Sequence, residues 1–201
     1  MTAKMLFWII FLLLTALVIF CDIKYGMLKD ISKASPAPFS WSRVQLALWS
    51  IIILASFGAI LIHSGAAPEL NESTLILLGI SGATTAAARA IDVSDINNPL
   101  VTSLSQDQPG VSFFLDILSD KSGISIHRFQ TVAFNFVFGA WFITYVLGHI
   151  GASPINDIMP VVADNNLVLL GLSSATYAAV KTTENQTNQP STTTPDEEAV
   201  G

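Results

Sequence analysis

Hydrophobic positions in this chain come in long unbroken runs, not in alternating or amphipathic patterns. Met5 to Phe20 is apolar apart from Thr15. A polar stretch, Asp22 to Ser42, separates it from a second run, Trp41 to Ile62. Further runs cover Ser73 to Ile91, Arg128 to His149 and Asn166 to Val180. A helix rises about 1.5 Å per residue, and about 20 apolar residues cross a bilayer core. The pattern predicts an all-α integral membrane protein with five transmembrane helices. One N-terminal helix precedes two tandem helical hairpins. The segments are 1–23, the first transmembrane helix; 24–40, a cytoplasmic loop; and 41–92, the first hairpin. Next come 93–126, a cytoplasmic loop with an amphipathic helix at Val111–Asp120, then 127–184, the second hairpin, and 185–201, a disordered acidic tail.

The hairpins share signatures. Arg43-Val44-Gln45 opens the first and Arg128-Phe129-Gln130 the second. The first closes through Leu77-Leu78-Gly79-Ile80-Ser81-Gly82-Ala83-Thr84, the second through Leu169-Leu170-Gly171-Leu172-Ser173-Ser174-Ala175-Thr176. Internal repetition fixes architecture before it says anything of activity. In the third run Gly79, Ala83, Ala86 and Ala87 fall near one face. Small residues let backbones approach closely in lipid, so that run reads as an interior packing helix. A water-lined wall is the alternative.

Composition agrees with the runs. Of 201 residues 51% are hydrophobic and 12% charged, against about 25% charged in soluble domains. Mean hydropathy is +0.57. The net charge of −6 carries no basic cluster, so nucleic acid is not an expected partner. Acidic residues concentrate in the loops and tail and read as solvated surface. The lone Cys21 excludes an intramolecular disulfide. The first run reads as a membrane helix, not as a signal peptide or lipoprotein leader, because no small-residue cleavage site follows it and bulky Phe20 precedes Cys21. Positive residues set the orientation: Lys24, Lys29, Lys33, Arg43, Arg89, Lys121, Arg128 and Lys181 fall on one side, Lys4 alone on the other. The positive-inside rule puts the N-terminus outside and the C-terminus in the cytoplasm.

Candidate chemistry is sparse. No Cys/His cluster has metal-ligand spacing, no cofactor motif occurs, and no acid lies inside a span, so neither a metal, a cofactor nor an enzyme is expected. His63 and His149 end the second and fourth runs and read as interfacial side chains. Each Arg of the Arg-x-Gln pairs opens a helix, where the macrodipole disfavours positive charge. Three readings stand: snorkelling to lipid phosphates, a lock onto the carbonyl end of the same hairpin's second helix or an acid such as Asp92 or Glu184, and, as the minor one, ligand binding. Asn135 is a strongly polar amide deep in a span and reads as an interhelical hydrogen bond. Phe39-Ser40-Trp41-Ser42 reads as a helix cap with interfacial aromatics, and Asn71 as part of the cap of the third run. In Val111–Asp120, Phe114, Leu115, Ile117 and Leu118 form the apolar side, with Asp116 and Asp120 opposite.

These signatures together resemble a family of bacterial multi-pass membrane proteins of uncharacterised activity. The likeness runs through Ser40-x-x-Arg43-x-Gln45, Ile91-Asp92, Phe114 to Asp120, His127-Arg128-Phe129-Gln130 and Leu169 to Tyr177. It departs at Arg89 and in the fourth run, which lacks the family's usual aromatic-Thr pair after the opening. The resemblance implies a topology and brings no substrate or cofactor. The expected function is a non-enzymatic membrane anchor, assembly or sensor subunit for a cytoplasmic partner. Its expected contacts are the lipid bilayer, that partner and further copies of itself. The alternative is an oligomeric pore lined by Ser81, Thr84, Thr85, Ser173, Ser174 and Thr176.

Overall fold

The computed structural model describes residues 2–98, 107–120 and 123–186. The described residues form α1 (Ala3–Tyr25), α2 (Trp41–Ser64), α3 (Glu72–Ile96), the short α4 (Phe113–Leu118), α5 (Ile126–His149) and α6 (Asp164–Gln186). A two-residue hairpin, β1 (Ser119–Asp120) with β2 (Gly123–Ile124), links α4 to α5. Four helices, α1, α2, α3 and α5, are long and apolar enough to span a membrane. Helix α6 has 23 residues but is not among those four. Its hydroxyl-rich signature lowers its apolarity. The end of the bundle that carries α4 and the α1–α2 connection is termed the inner end, and the opposite end the outer.

Local signals place the helix ends. Gly26 and Gly65 close α1 and α2 in the left-handed region, at φ +64° and +73°, where a Cβ is disfavoured. Asn71 starts α3. Its Oδ1 accepts from the Thr74 amide at 2.9 Å, as a cap residue should. Its Nδ2 donates to the Met159 and Pro160 carbonyls at 3.3 and 3.1 Å. The cap therefore also fastens the second outer turn onto the first. The Ser73 hydroxyl accepts from the Val162 amide at 3.0 Å and extends the same seam.

Helices α2, α3, α6 and α5 form a ring, each packed on its two neighbours, and α1 lies outside against α2. Two apolar clusters fill the interior. The outer one holds Phe7, Trp49, Ile52, Leu77, Phe142 and Leu170 among others. Ile158, Met159 and Val162 of the second outer turn fold over its end. The inner one holds Trp41, Val44, Ala88, Ile117 and Val132.

Several expectations change. Helix α3 runs to Ile96, into the segment expected as loop from residue 93, and Asp92 is buried within the helix. Helix α6 runs past Val180 to Gln186. The Val111–Asp120 helix shrinks to Phe113–Leu118, because Ser119 leaves it to pair with Ile124. Ile117 is buried, yet Phe114 and Leu115, assigned to the same apolar side, are exposed. Six residues make under two turns, too few for a uniform stripe. Trp41 is no interfacial aromatic; it is fully buried in the inner cluster. Gly79, Ala83, Ala86 and Ala87 face outward, so the small residues of α3 do not make its packing face. The buried face is Thr74, Leu77, Ser81, Thr84 and Ala88. The tail at 187–201 and the loop positions 99–106 and 121–122 lie outside the described residues.

Candidate functional site

On each ring helix a polar stretch falls between the two apolar clusters. It comprises Gln45 on α2, Ser81 and Thr84 on α3, Thr131 and Asn135 on α5, and Ser173 and Ser174 on α6, all buried. Buried polar groups on apolar helices need partners, and here the helices supply them to one another. The Trp49 indole N–H donates to Asn135 Oδ1 at 2.8 Å, joining α2 to α5. Asn135 Nδ2 donates back to the Thr131 carbonyl at 2.8 Å. Thr131 Oγ1 donates to the Ser173 carbonyl at 3.2 Å, joining α5 to α6. Thr85 Oγ1 donates to the Ser42 carbonyl at 3.0 Å, joining α3 to α2. Gln45 Nε2 donates to Ser174 Oγ at 3.0 Å, a diagonal bond from α2 to α6. Among the described residues its Oε1 is buried without a partner.

The hydroxyls of the first closing signature are used locally. Ser81 donates to the Leu77 carbonyl at 3.0 Å and Thr84 to the Ile80 carbonyl at 2.7 Å. Thr176 lies exposed and does not join the buried set. Gly79 has nothing within 4 Å of where a Cβ would stand, and Gly171 meets only Ile80, at an ordinary 3.5 Å from Cδ1. Neither glycine marks a tight helix crossing. Closer approaches occur elsewhere: Gly139 meets Ile52 at 3.1 Å and Gly58 meets Ile10 at 3.2 Å.

The two Arg-x-Gln pairs occupy different surroundings. Gln45 is buried but Gln130 is exposed. Arg43 donates from Nη1 to the Met27 carbonyl at 3.2 Å. That carbonyl belongs to the loop after α1, not to the end of α3 that the lock reading named. Arg128 Nε is buried. Arg43 also lines a polar inner cleft of about 340 Å³ with Asp30, Ser42, Thr85, Arg89 and Asp92.

Carboxylates organise the inner loops, a role that spacing along the chain does not predict. Asp116 Oδ2 accepts from the Phe39 amide at 3.1 Å, and Oδ1 from the Val111 amide at 2.9 Å. Asp22 Oδ1 accepts from the Leu28 amide at 2.8 Å, and Asp107 Oδ1 from the Lys33 amide at 2.8 Å. The Phe113 ring meets Phe39 edge-on, with centroids 5.1 Å apart, and Lys29 Nζ sits 3.1 Å from the Phe39 ring centroid. The first and second inner loops thus form one platform under the bundle. At the opposite end His149 stacks on Tyr145 with centroids 3.9 Å apart, and His63 is exposed. Among the described residues no three His, Cys, Asp or Glu side chains converge as metal ligands would.

No protein-family model matches the chain, and no curated protein or solved structure resembles it significantly.

Proposed function

We propose that the chain crosses a bacterial plasma membrane five times, N-terminus outside and C-terminus inside. In this reading it is a non-enzymatic anchor or assembly subunit for a protein partner on the cytoplasmic side. The observation that carries this is the platform at the inner end. Asp116 and the Phe39–Phe113 contact fix α4 in place, and Ile117 plugs it into the inner cluster. The same folded segment leaves Val111 78%, Phe114 66%, Ile124 66% and Ile126 81% exposed. Apolar side chains held outward on a braced segment mark an interaction surface. The platform end also carries Lys24, Lys29, Lys33, Arg43, Arg89 and Arg128, which supports the orientation. The resemblance of both hairpin signatures to a bacterial multi-pass family supports the topology and adds no activity.

The pore reading has weaker support. Its hydroxyls would have to line water, yet Ser81 and Thr84 bond their own helix and Ser174 bonds Gln45. A photo-crosslinking residue at Phe114, in native membranes, tests the proposal. One defined protein adduct is expected there, and none from the same residue placed at Leu12, which is exposed on the outer face of α1. Equal labelling at both positions, or rapid ion flux through proteoliposomes of the pure chain, would overturn the proposal.

A further inference from the structure

Helices α1 and α2 leave a groove between them that the rest of the bundle does not fill. Its volume is about 420 Å³, and its walls include Leu14, Leu17 and Val18 of α1 with Leu46, Ile51 and Leu54 of α2. Ligand pockets run from about 300 to 1,000 Å³, so the space is large enough for a bound molecule. The groove has a direction. Leu14 is at the middle of α1 and Leu54 is near the middle of α2, while the loop residues Met27 and Leu28 close the other end beside Arg43. From Arg43 to Leu54 the helix rises about 16 Å at about 1.5 Å per residue. One leaflet of a bilayer core is about 15 Å deep, half of about 30 Å. With α1 and α2 spanning, the groove therefore runs from the midplane to the headgroup level of a single leaflet.

Arg43 stands where the apolar groove ends and also lines the polar inner cleft beside it. Its hydrogen bond to the Met27 carbonyl uses Nη1, and a guanidinium has five N–H donors. Guanidinium groups suit phosphate oxygens, and basic pockets between membrane helices hold lipid headgroups. Arg89, Asp30 and Asp92 share the cleft, so a singly charged phosphodiester fits there better than a doubly charged phosphomonoester.

We propose that this groove binds one glycerophospholipid, with an acyl chain along α1 and α2 and the phosphodiester on Arg43. This goes beyond the partner-anchoring reading and does not depend on it, because lipid binding is measured on the isolated chain. The test is native mass spectrometry of the full chain, delipidated in mild detergent and titrated with dioleoylphosphatidylglycerol or dioleoylglycerol. The two probes share their acyl chains and differ in the phosphate headgroup. The expected result is one retained phospholipid, bound about tenfold more tightly than the diacylglycerol, as a charge-assisted contact would give. Arg43→Gln should abolish that preference. Ala47→Phe and Ser50→Leu, two separate groove fillers, should each weaken both probes about tenfold, the scale of a lost apolar contact, with helicity by circular dichroism unchanged. Equal affinity for the two probes, a preference that survives Arg43→Gln, or full binding to both groove fillers would overturn the proposal.

Discussion

The bond between Trp49 and Asn135 gives a quantitative test of the polar layer. Both side chains are buried, and the indole N–H lies 2.8 Å from Oδ1. Asn135→Leu keeps the approximate size and removes the acceptor. It leaves a buried indole N–H unpaired, at a cost of about 1–3 kcal/mol. Trp49→Phe removes the donor instead and adds a packing loss from the smaller ring. If the bond joins the helices, the double variant loses less than the two singles together. Interhelical bonds in membrane bundles average about 0.6 kcal/mol and reach about 1.7 kcal/mol, so the coupling should fall in that interval. The assay is equilibrium unfolding in bicelles, followed through all four corners of the cycle. Additivity within about 0.3 kcal/mol would refute the reasoning and reduce the polar layer to packing.

Asp116→Ala should release the inner platform by removing the acceptor of the Phe39 and Val111 amides; faster hydrogen exchange at Phe39, with the bundle helices unchanged, is the expected readout. Gly139→Val should destabilise by about 1–3 kcal/mol because its Cβ would press on Ile52, while Gly79→Ala, in open space, should be neutral within about 0.5 kcal/mol; thermal unfolding in detergent compares them. Gln45→Met should cost more than Gln130→Met in the same assay, since only Gln45 is buried and bonded to Ser174. In a Cys21→Ser background, Ala152→Cys should react with an impermeant maleimide from outside the cell, and Lys33→Cys only after permeabilisation; the reverse pattern would refute the orientation.

The apolar runs made the helices legible, and Asn71 announced its cap. The faces were less legible. Matching opening signatures suggested matching roles for Gln45 and Gln130, yet only Gln45 is buried. The physical reason is the rotation of each helix in the ring. Helix α2 turns Gln45, Trp49 and Ile52 inward, toward α6 and α5. Helix α5 turns Thr131, Asn135, Gly139 and Phe142 inward, which leaves Gln130 on the outside. A local motif does not report which face of its helix the neighbours will cover. The small residues of α3 misled for a related reason: close approach requires an opposing helix, and Gly79 has none within 4 Å. The carboxylate latches of the inner loops depend on long-range geometry, as in the pairing of Asp116 with Phe39, and spacing along the chain carries no trace of them.

The diagonal reach of Gln45 to Ser174 also bears on how the chain is made. Helix α6 follows the other helices out of the ribosome and is not among the four apolar enough to cross by composition alone. Its polar positions find partners on segments synthesised earlier: Gln45 for the Ser174 hydroxyl and Thr131 for the Ser173 carbonyl. In the five-span reading, α6 enters the bilayer by docking onto α2, α3 and α5, so insertion of this helix is coupled to assembly of the three ring helices that precede it.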